Sequence, residues 1–223
     1  MNTADVHPDV LPQLAELVLE PERPLIVCDG DEVIFEFIGR FADYLPRHGL
    51  SFSWASYHLT GNVLKGDGSA ASVDEVLPAF FAFYDEHAES LEPVAGAAEA
   101  LAALRPRAQV VVLSNLPLRH RQARTRNLAR VGLALPVIAN IGRKGPAVQR
   151  LAERVDAPVF FLDDSPRHLE SVAELVPDAI RLHFVGNARL AALVETSPAS
   201  HHRTDDWASA RAIIEARLAE QGY

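Results

Sequence analysis

A single cysteine, Cys28, among 223 residues excludes an internal disulfide and fits a reducing compartment. It lies inside an apolar run, where a thiol serves as packing rather than as a reagent. Long hydrophobic stretches are also missing: no run approaches the ~20 apolar residues that a membrane span needs. The first residues, Met-Asn-Thr-Ala-Asp-Val-His-Pro, have neither a basic start nor an apolar segment, so no secretory leader is expected. Positive charge is scarce. Lys and Arg total 21 against 30 Asp and Glu, a formal charge of -9, which argues against general binding to nucleic acid or anionic membrane. Repeats and low-complexity segments are absent. The expectation is a cytoplasmic protein whose partner is a small molecule.

What is present is ordinary for a globular chain: 48% hydrophobic and 23% charged residues, enough for one substantial core and an insertion. A short lead-in helix is expected from Leu11, Leu14 and Leu17 or Val18, stopped by Pro21 and Pro24. The apolar run Leu25-Ile26-Val27-Cys28 then reads as a buried strand that breaks into Asp29-Gly30-Asp31. Between Val33 and Val94 the texture changes, because this stretch holds eleven of the sixteen aromatics. Phe37, Phe41, Tyr44 and Leu45 form one helical stripe, ended by Pro46. Val73, Leu77, Phe80, Tyr84 and Leu91 form another, with Ser72 as its N-cap. Trp54 to Gly68 is turn-rich. Two amphipathic helices with their own aromatic filling make a small helical insertion directly after the first strand.

From Val94 onward, apolar runs alternate with helical patterns. Strands are expected at Gln109–Leu113, Pro136–Ile141, Pro158–Leu162 and Ala179–Phe184. Helices are expected at Ala97–Leu104, Leu118–Val131, Gly145–Val155, Arg167–Leu175 and Asp206–Leu218. This alternation predicts an α/β fold with a parallel sheet covered on both faces.

Three of the strands end in polar groups: Asp29 and Asp31, Ser114 and Asn115, Asp163 and Asp164. In a parallel sheet those ends share one edge, the place where open α/β folds bind ligands. Lys144, in a Gly-Arg-Lys-Gly-Pro turn, enters a helix between the last two of these strands. Four carboxylates gathered there cannot all stay ionised without a cation. An all-oxygen ligand set of this kind suits Mg²⁺. The metal and Lys144 would neutralise a phosphate, and Ser114 and Asn115 would hydrogen-bond its oxygens. One Asp could attack phosphorus or carbon, and its neighbour could move a proton.

Taken in order, Asp29-Gly-Asp31-Glu-Val33, Val112-Leu113-Ser114-Asn115, Lys144 in its turn and Leu162-Asp163-Asp164-Ser165-Pro166 resemble the four motifs of the haloacid dehalogenase (HAD) superfamily. The likeness is to the kind with a helical cap inserted after the first strand. It spans roughly Pro24 to Phe184. The resemblance implies a Rossmann-like core over residues 1–34 and 93–223 and a cap over 35–92. It implies Asp29 as nucleophile, Asp31 as acid/base, and Ser114, Asn115 and Lys144 on the phosphate. Metal ligands would come from Asp29, Asp31, Asp163 and Asp164, with Asp164 coordinating directly and Asp163 orienting Lys144 or a metal-bound water. Dehalogenating branches generally lack the second Asp, so Asp31 favours phosphoryl transfer.

The expected activity is a Mg²⁺-dependent phosphatase acting on a small phosphorylated metabolite through an aspartyl-phosphate. A phosphomutase with the same first half-reaction is the alternative, and a HAD-like binding protein with little turnover is the reading from another class. Substrate choice belongs to the cap, where Arg40, Arg47, His48, Trp54, Tyr57, His58 and Lys65 are candidates. The basic run from Arg119 to Arg130 reads as a solvated helix face. His201-His202 reads as a loop without metal-ligand spacing.

Overall fold

The computed structural model describes residues 5–57, 59 and 61–223. In chain order the elements are α1 (Leu11–Ala15), β1 (Leu25–Cys28), α2 (Ile38–Tyr44), β2 (Leu50–Phe52), β3 (Val63–Lys65), α3 (Val73–His87) and α4 (Ala97–Leu104). There follow β4 (Gln109–Ser114), α5 (Arg121–Arg130), β5 (Val137–Ala139), α6 (Gly145–Ala152), β6 (Val159–Asp163) and α7 (Pro166–Leu175). The chain closes with β7 (Ile180–Phe184), α8 (Ala188–Ala191), β8 (His202–Thr204) and α9 (Trp207–Glu220). Among the described residues no helix is long and apolar enough to cross a membrane.

Six strands form one sheet in the order β5-β4-β1-β6-β7-β8, every neighbouring pair parallel. This is the Rossmann-like α/β architecture expected from the sequence. Strand side chains alternate between two packed layers. Ile26 and Cys28 point into the layer covered by α4, α5 and α9, whereas Leu25 and Val27 point into the layer covered by α1, α6 and α7. The first layer continues into the aromatic filling of the insertion, through Phe35, Phe37, Phe41 and Phe83. From β1 the chain winds outward through β4 and β5, then returns to β6 on the other side. The end of β1 is therefore the switch point of the sheet.

The insertion differs from a purely helical one. Its turn-rich middle folds into the antiparallel pair β2–β3, whose three-residue strands are too short to betray a period of two. The first stripe does not stop at Pro46 either. A 3-10 turn, Leu45–His48, carries Pro46 at its start, where no N–H is needed, and Gly49 at φ 69° ends it. The second stripe behaves as expected up to His87, with Ser72 and Glu75 forming a reciprocal capping box. Leu91 lies beyond its end. The two connecting segments pair with each other: Glu36 N donates to Glu92 O at 2.9 Å and Val94 N to Ile34 O at 2.8 Å.

Elsewhere the differences are at edges. His202 begins the edge strand β8 rather than lying in a loop, and α1 ends at Ala15, before either proline. Leu17 packs into the core while Val18 is 94% exposed.

One close approach sets the position of Lys144. A Cβ on Gly145 would sit 2.2 Å from the Ser171 carbonyl oxygen, so only glycine lets the start of α6 lie against α7. Gly145 N also donates to Ser171 Oγ at 3.0 Å. Gly145→Ala is expected to cost about 1–3 kcal/mol by overpacking, read as a lowered urea midpoint. Gly66→Ala, where a Cβ meets nothing within 4 Å, should leave the midpoint in place.

Candidate active site

The register of the sheet assembles the site. Cys28 is level with Leu162, so the next residues, Asp29 and Asp163, stand side by side at the strand ends. Asp29 N holds that level by donating to Leu162 O at 2.9 Å. Lys144 arrives from the start of α6 and is wholly buried. Its Nζ lies 2.7 Å from Asp29 Oδ1 and 2.6 Å from Asp163 Oδ2. A buried ammonium is costly unless paired, and here it has two partners. Burial alone pushes the lysine down, but Asp163 and Asp29 outweigh it and hold the ammonium well above its ordinary range.

The carboxylates respond in the opposite sense. Burial pushes Asp29 up to about 6, against the pull of Lys144 and with the push of Asp163. Asp163 is likewise raised by burial, with Lys144 opposing. Asp164 is raised well above the carboxylate range by burial, then by Asp163 and Asp29. Asp29, Asp163 and Asp164 each offer an oxygen within 4.8 Å of the others. Surplus negative charge of this kind calls for a cation.

The free positions differ among the three. Asp163 has Oδ2 on Lys144 and Oδ1 on Ser165 N, at 2.9 Å. Asp29 Oδ1 takes Lys144 and the Gly30 N–H, at 2.6 Å. Among the described residues, Asp29 Oδ2 and Asp164 Oδ1 have no hydrogen-bond donor, so these two are open to a ligand. Asp164 is held from behind. Tyr57 Oη donates to its Oδ2 at 2.7 Å and its main-chain oxygen lies 2.9 Å from His183 Nε2. Ser197 N donates to His183 Nδ1 at 3.1 Å, which leaves Nε2 as the protonated nitrogen.

Ser114 sits where the sequence places it. Its hydroxyl is buried and, among the described residues, has no partner, an uncommon state for a buried polar group. Gly30 leaves it room, because a Cβ there would stand 3.0 Å from Ser114 Oγ. Asn115 departs from expectation. Its side chain donates to Gly142 O at 2.8 Å and accepts from Asn140 at 2.7 Å, so it ties down the loop after β5. Its backbone N–H and the second hydrogen of Nδ2 are left to meet a ligand.

Asp31 is also differently placed. Its carboxylate stands outside the acid cluster and is held by two groups the sequence reading did not assign. Arg124 Nη2 lies 2.7 Å from Oδ1, and Tyr84 Oη donates to Oδ2 at 2.6 Å. Arg124 has no exposed surface and stacks over Phe35 at 4.8 Å. The solvated-face reading holds for Arg119 and Arg126, which pair with Asp85 and Glu89 at the surface, but fails for Arg124. Nothing in the local pattern of α5 separates one arginine from the next. Tyr84 was legible only as part of the α3 stripe.

Of the insertion candidates, Tyr57 reaches the acids. Trp54, at φ 53°, lies under Arg189 at 3.9 Å and so touches α8 instead. Arg47 pairs with Glu86, Lys65 with Glu75, and His48 packs on Tyr44, all away from the acids. Arg40 lines an outer groove with Asp43 and His87. His58 lies outside the described residues.

The buried lysine makes a quantitative prediction. Lys144→Met leaves two buried carboxylates without their cation and should cost about 3–5 kcal/mol near pH 7.5 in EDTA. Protonation of a carboxylate whose folded pKa is raised favours the folded state. Lys144 lowers both carboxyls, so without it they titrate higher, and the loss should shrink as pH falls from 7.5 towards about 6 and change little below that. Urea unfolding at pH 7.5 and 5 reads the difference; a loss independent of pH would contradict the assignment.

No protein-family model and no curated protein matches the chain. Solved structures do. A HAD family hydrolase from Deinococcus radiodurans R1, crystallised with phosphate and sodium, is 20% identical with a TM-score of 0.59, covering 89% of this chain and 98% of its own. A predicted phosphoglycolate phosphatase from Haemophilus somnus 129PT is 15% identical with a TM-score of 0.60, covering 88% and 100%. The HAD-hydrolase YfnB of Bacillus subtilis, bound to magnesium, is 13% identical with a TM-score of 0.59, covering 86% and 99%. With its six parallel strands, the insertion after β1 and the acids at the strand ends, the chain has the fold of the haloacid dehalogenase superfamily.

Proposed function

We propose that the protein is a Mg²⁺-dependent phosphatase that hydrolyses a small phosphomonoester through an aspartyl-phosphate on Asp29. The observation that carries this reading is the convergence on Asp29 of one buried ammonium, two further carboxylates and an unpartnered buried hydroxyl. Acids alone would repel a phosphate. Lys144 and a cation reverse that sign.

The donor set fits Mg²⁺. Asp164, through Oδ1, and one oxygen of Asp29 would be its hard oxygen ligands, the other Asp29 oxygen staying free to attack, and one or two carboxylates with waters and substrate oxygen are what this ion takes. When bound, it supplies positive charge to the phosphoryl oxygens. The chain's own groups do the rest. Asp29 Oδ1 is fixed by Lys144 and Gly30 N, which aims Oδ2 at phosphorus for in-line attack. Lys144, the Ser114 hydroxyl and the backbone N–H of Asn115 stabilise charge on the transferring group. Asp163 orients Lys144. Asp31 moves the proton, to the leaving oxygen and then from the attacking water, in an orientation set by Arg124 and Tyr84.

Residues 35–92 act as a cap on a core of residues 1–34 and 93–223. Tyr57 and Tyr84 bring the cap's hydroxyls onto Asp164 and Asp31, which supports closure over the bound phosphate and exclusion of bulk water. Phosphate in the Deinococcus structure and magnesium in the Bacillus structure support the same ligands here.

A colorimetric panel of phosphomonoesters tests the reading. EDTA should remove activity, Mg²⁺ restore it, and Ca²⁺ support it poorly, since the larger ion lets Asp29 bind through both oxygens. Phosphate release from aryl phosphates with no sugar phosphate present separates phosphatase from phosphomutase. Asp29→Asn should fold and show no turnover. Wild-type activity in that variant, with amide hydrolysis excluded by mass spectrometry, would remove the nucleophile from the scheme.

A further inference from the structure

Among the described residues, Asp164 is the acid of the cluster that takes its support from the insertion. Asp29 and Asp163 are fixed by Lys144 and by backbone N–H groups of the core. Tyr57 reaches Asp164 at two points: its Oη lies 2.7 Å from Oδ2 and 2.6 Å from the main-chain oxygen. His183 meets the same main-chain oxygen from the core side at 2.9 Å. The phenol thus restrains the carboxylate against its own backbone, and Oδ1 is the oxygen left open.

The segment that carries Tyr57 is shaped in advance. Asn62, 2% exposed, gathers the residues before Tyr57 around its side chain. Its Oδ1 accepts from Ser53 Oγ at 2.8 Å and from Ala55 N at 3.2 Å, and its Nδ2 donates to Ser56 O at 2.6 Å. Trp54 adopts φ 53°, a region that a bulky residue enters only where its surroundings hold it. Its ring stands edge-on to Phe52 at 4.9 Å and lies under Arg189 of the core at 3.9 Å. Residues 53–57 are therefore seated on the core at both ends, by Trp54 and by Tyr57.

We propose that Tyr57 is a positioning residue for the metal ion: its phenol holds Asp164 in the ligating orientation, so metal affinity and seating of the insertion are linked through one hydroxyl. The inference rests on the phosphatase reading only for the presence of a cation at Asp164. A carboxylate that is already oriented gives up less rotational freedom when an ion binds. Partners behind a metal ligand commonly carry about 10–100-fold in affinity. The linkage is reciprocal: an ion that favours the oriented Asp164 also favours the seated insertion.

Mn²⁺ binding to the EDTA-stripped protein, read from the electron paramagnetic resonance of the free ion, tests this with no substrate and no turnover. Mg²⁺ affinity follows from displacement of Mn²⁺. Tyr57→Phe should weaken both ions about tenfold, and Tyr57→Leu carries the same expectation where the phenylalanine variant does not fold. Tyr84→Phe controls for general loosening of the insertion. It takes a hydroxyl from Asp31, which stands outside the acid cluster, and should leave Mn²⁺ affinity in place. Hydrogen exchange gives the reciprocal reading: Mg²⁺ should slow the amides of residues 54–57 in the wild type but not in Tyr57→Phe.

Unchanged ion affinity in Tyr57→Phe, an equal loss in Tyr84→Phe, or exchange indifferent to Mg²⁺ overturns the positioning role and leaves the phosphatase reading standing. Absence of Mn²⁺ binding, or binding that survives Asp164→Ala at full strength, removes the cation from Asp164 and overturns both.

Discussion

The ion triad Asp29–Lys144–Asp163 is the interaction on which the rest of the molecule depends. An ammonium with no exposed surface can persist only between well-placed anions. The anions are well placed because β1 and β6 are neighbours in register and end together. Lys144 reaches them because Gly145 lets α6 approach α7 without a Cβ in the way. Sheet register, helix packing and charge therefore specify one another. The triad also leaves a net negative charge, since Asp164 joins it without a cation of its own. That imbalance is one that a bound cation would offset.

A second set of contacts joins the insertion to the core, and it uses the same acids. Tyr57 donates to Asp164 and Tyr84 to Asp31, while Arg124 holds Asp31 from the core side. Around this centre, Arg119, Arg126 and Arg130 of the core face Asp85, Glu89 and Glu92. These outer pairs are exposed, and each contributes little in salt. The inner contacts are more sheltered and directional. The insertion is thereby held to the core through the acids more than through surface charge.

Most of the core was legible in the sequence because apolar runs, turn residues and polar strand ends all pointed to one architecture. Leu25–Cys28 and Ala97–Leu104 were delimited as observed. Asp29, Ser114, Lys144, Asp163 and Asp164 converge as the order of the strands required. The remainder depended on tertiary contacts. Arg124 sits in a helix whose polar face looks uniform, and only Phe35 and Asp31 make it different. Asn115 has the same chemistry as a phosphate ligand, but Asn140 and Gly142 claim its side chain. The β2–β3 pair and β8 are three residues each, too short for periodicity to register. Glu32 adopts φ 63°, and its buried carboxylate accepts from the Phe37 and Ile38 N–H groups at the start of α2. A side chain in the left-handed region is not readable from residue type.

The central claim is that Asp29 becomes covalently phosphorylated. Rapid acid quench during turnover of an aryl phosphate, followed by borohydride reduction and peptide mass mapping, tests it most directly. An acyl phosphate on Asp29 is reduced to homoserine, so the account predicts homoserine at position 29 alone, and none without Mg²⁺. Continued turnover with position 29 unmodified, or with the label on another residue, would contradict it.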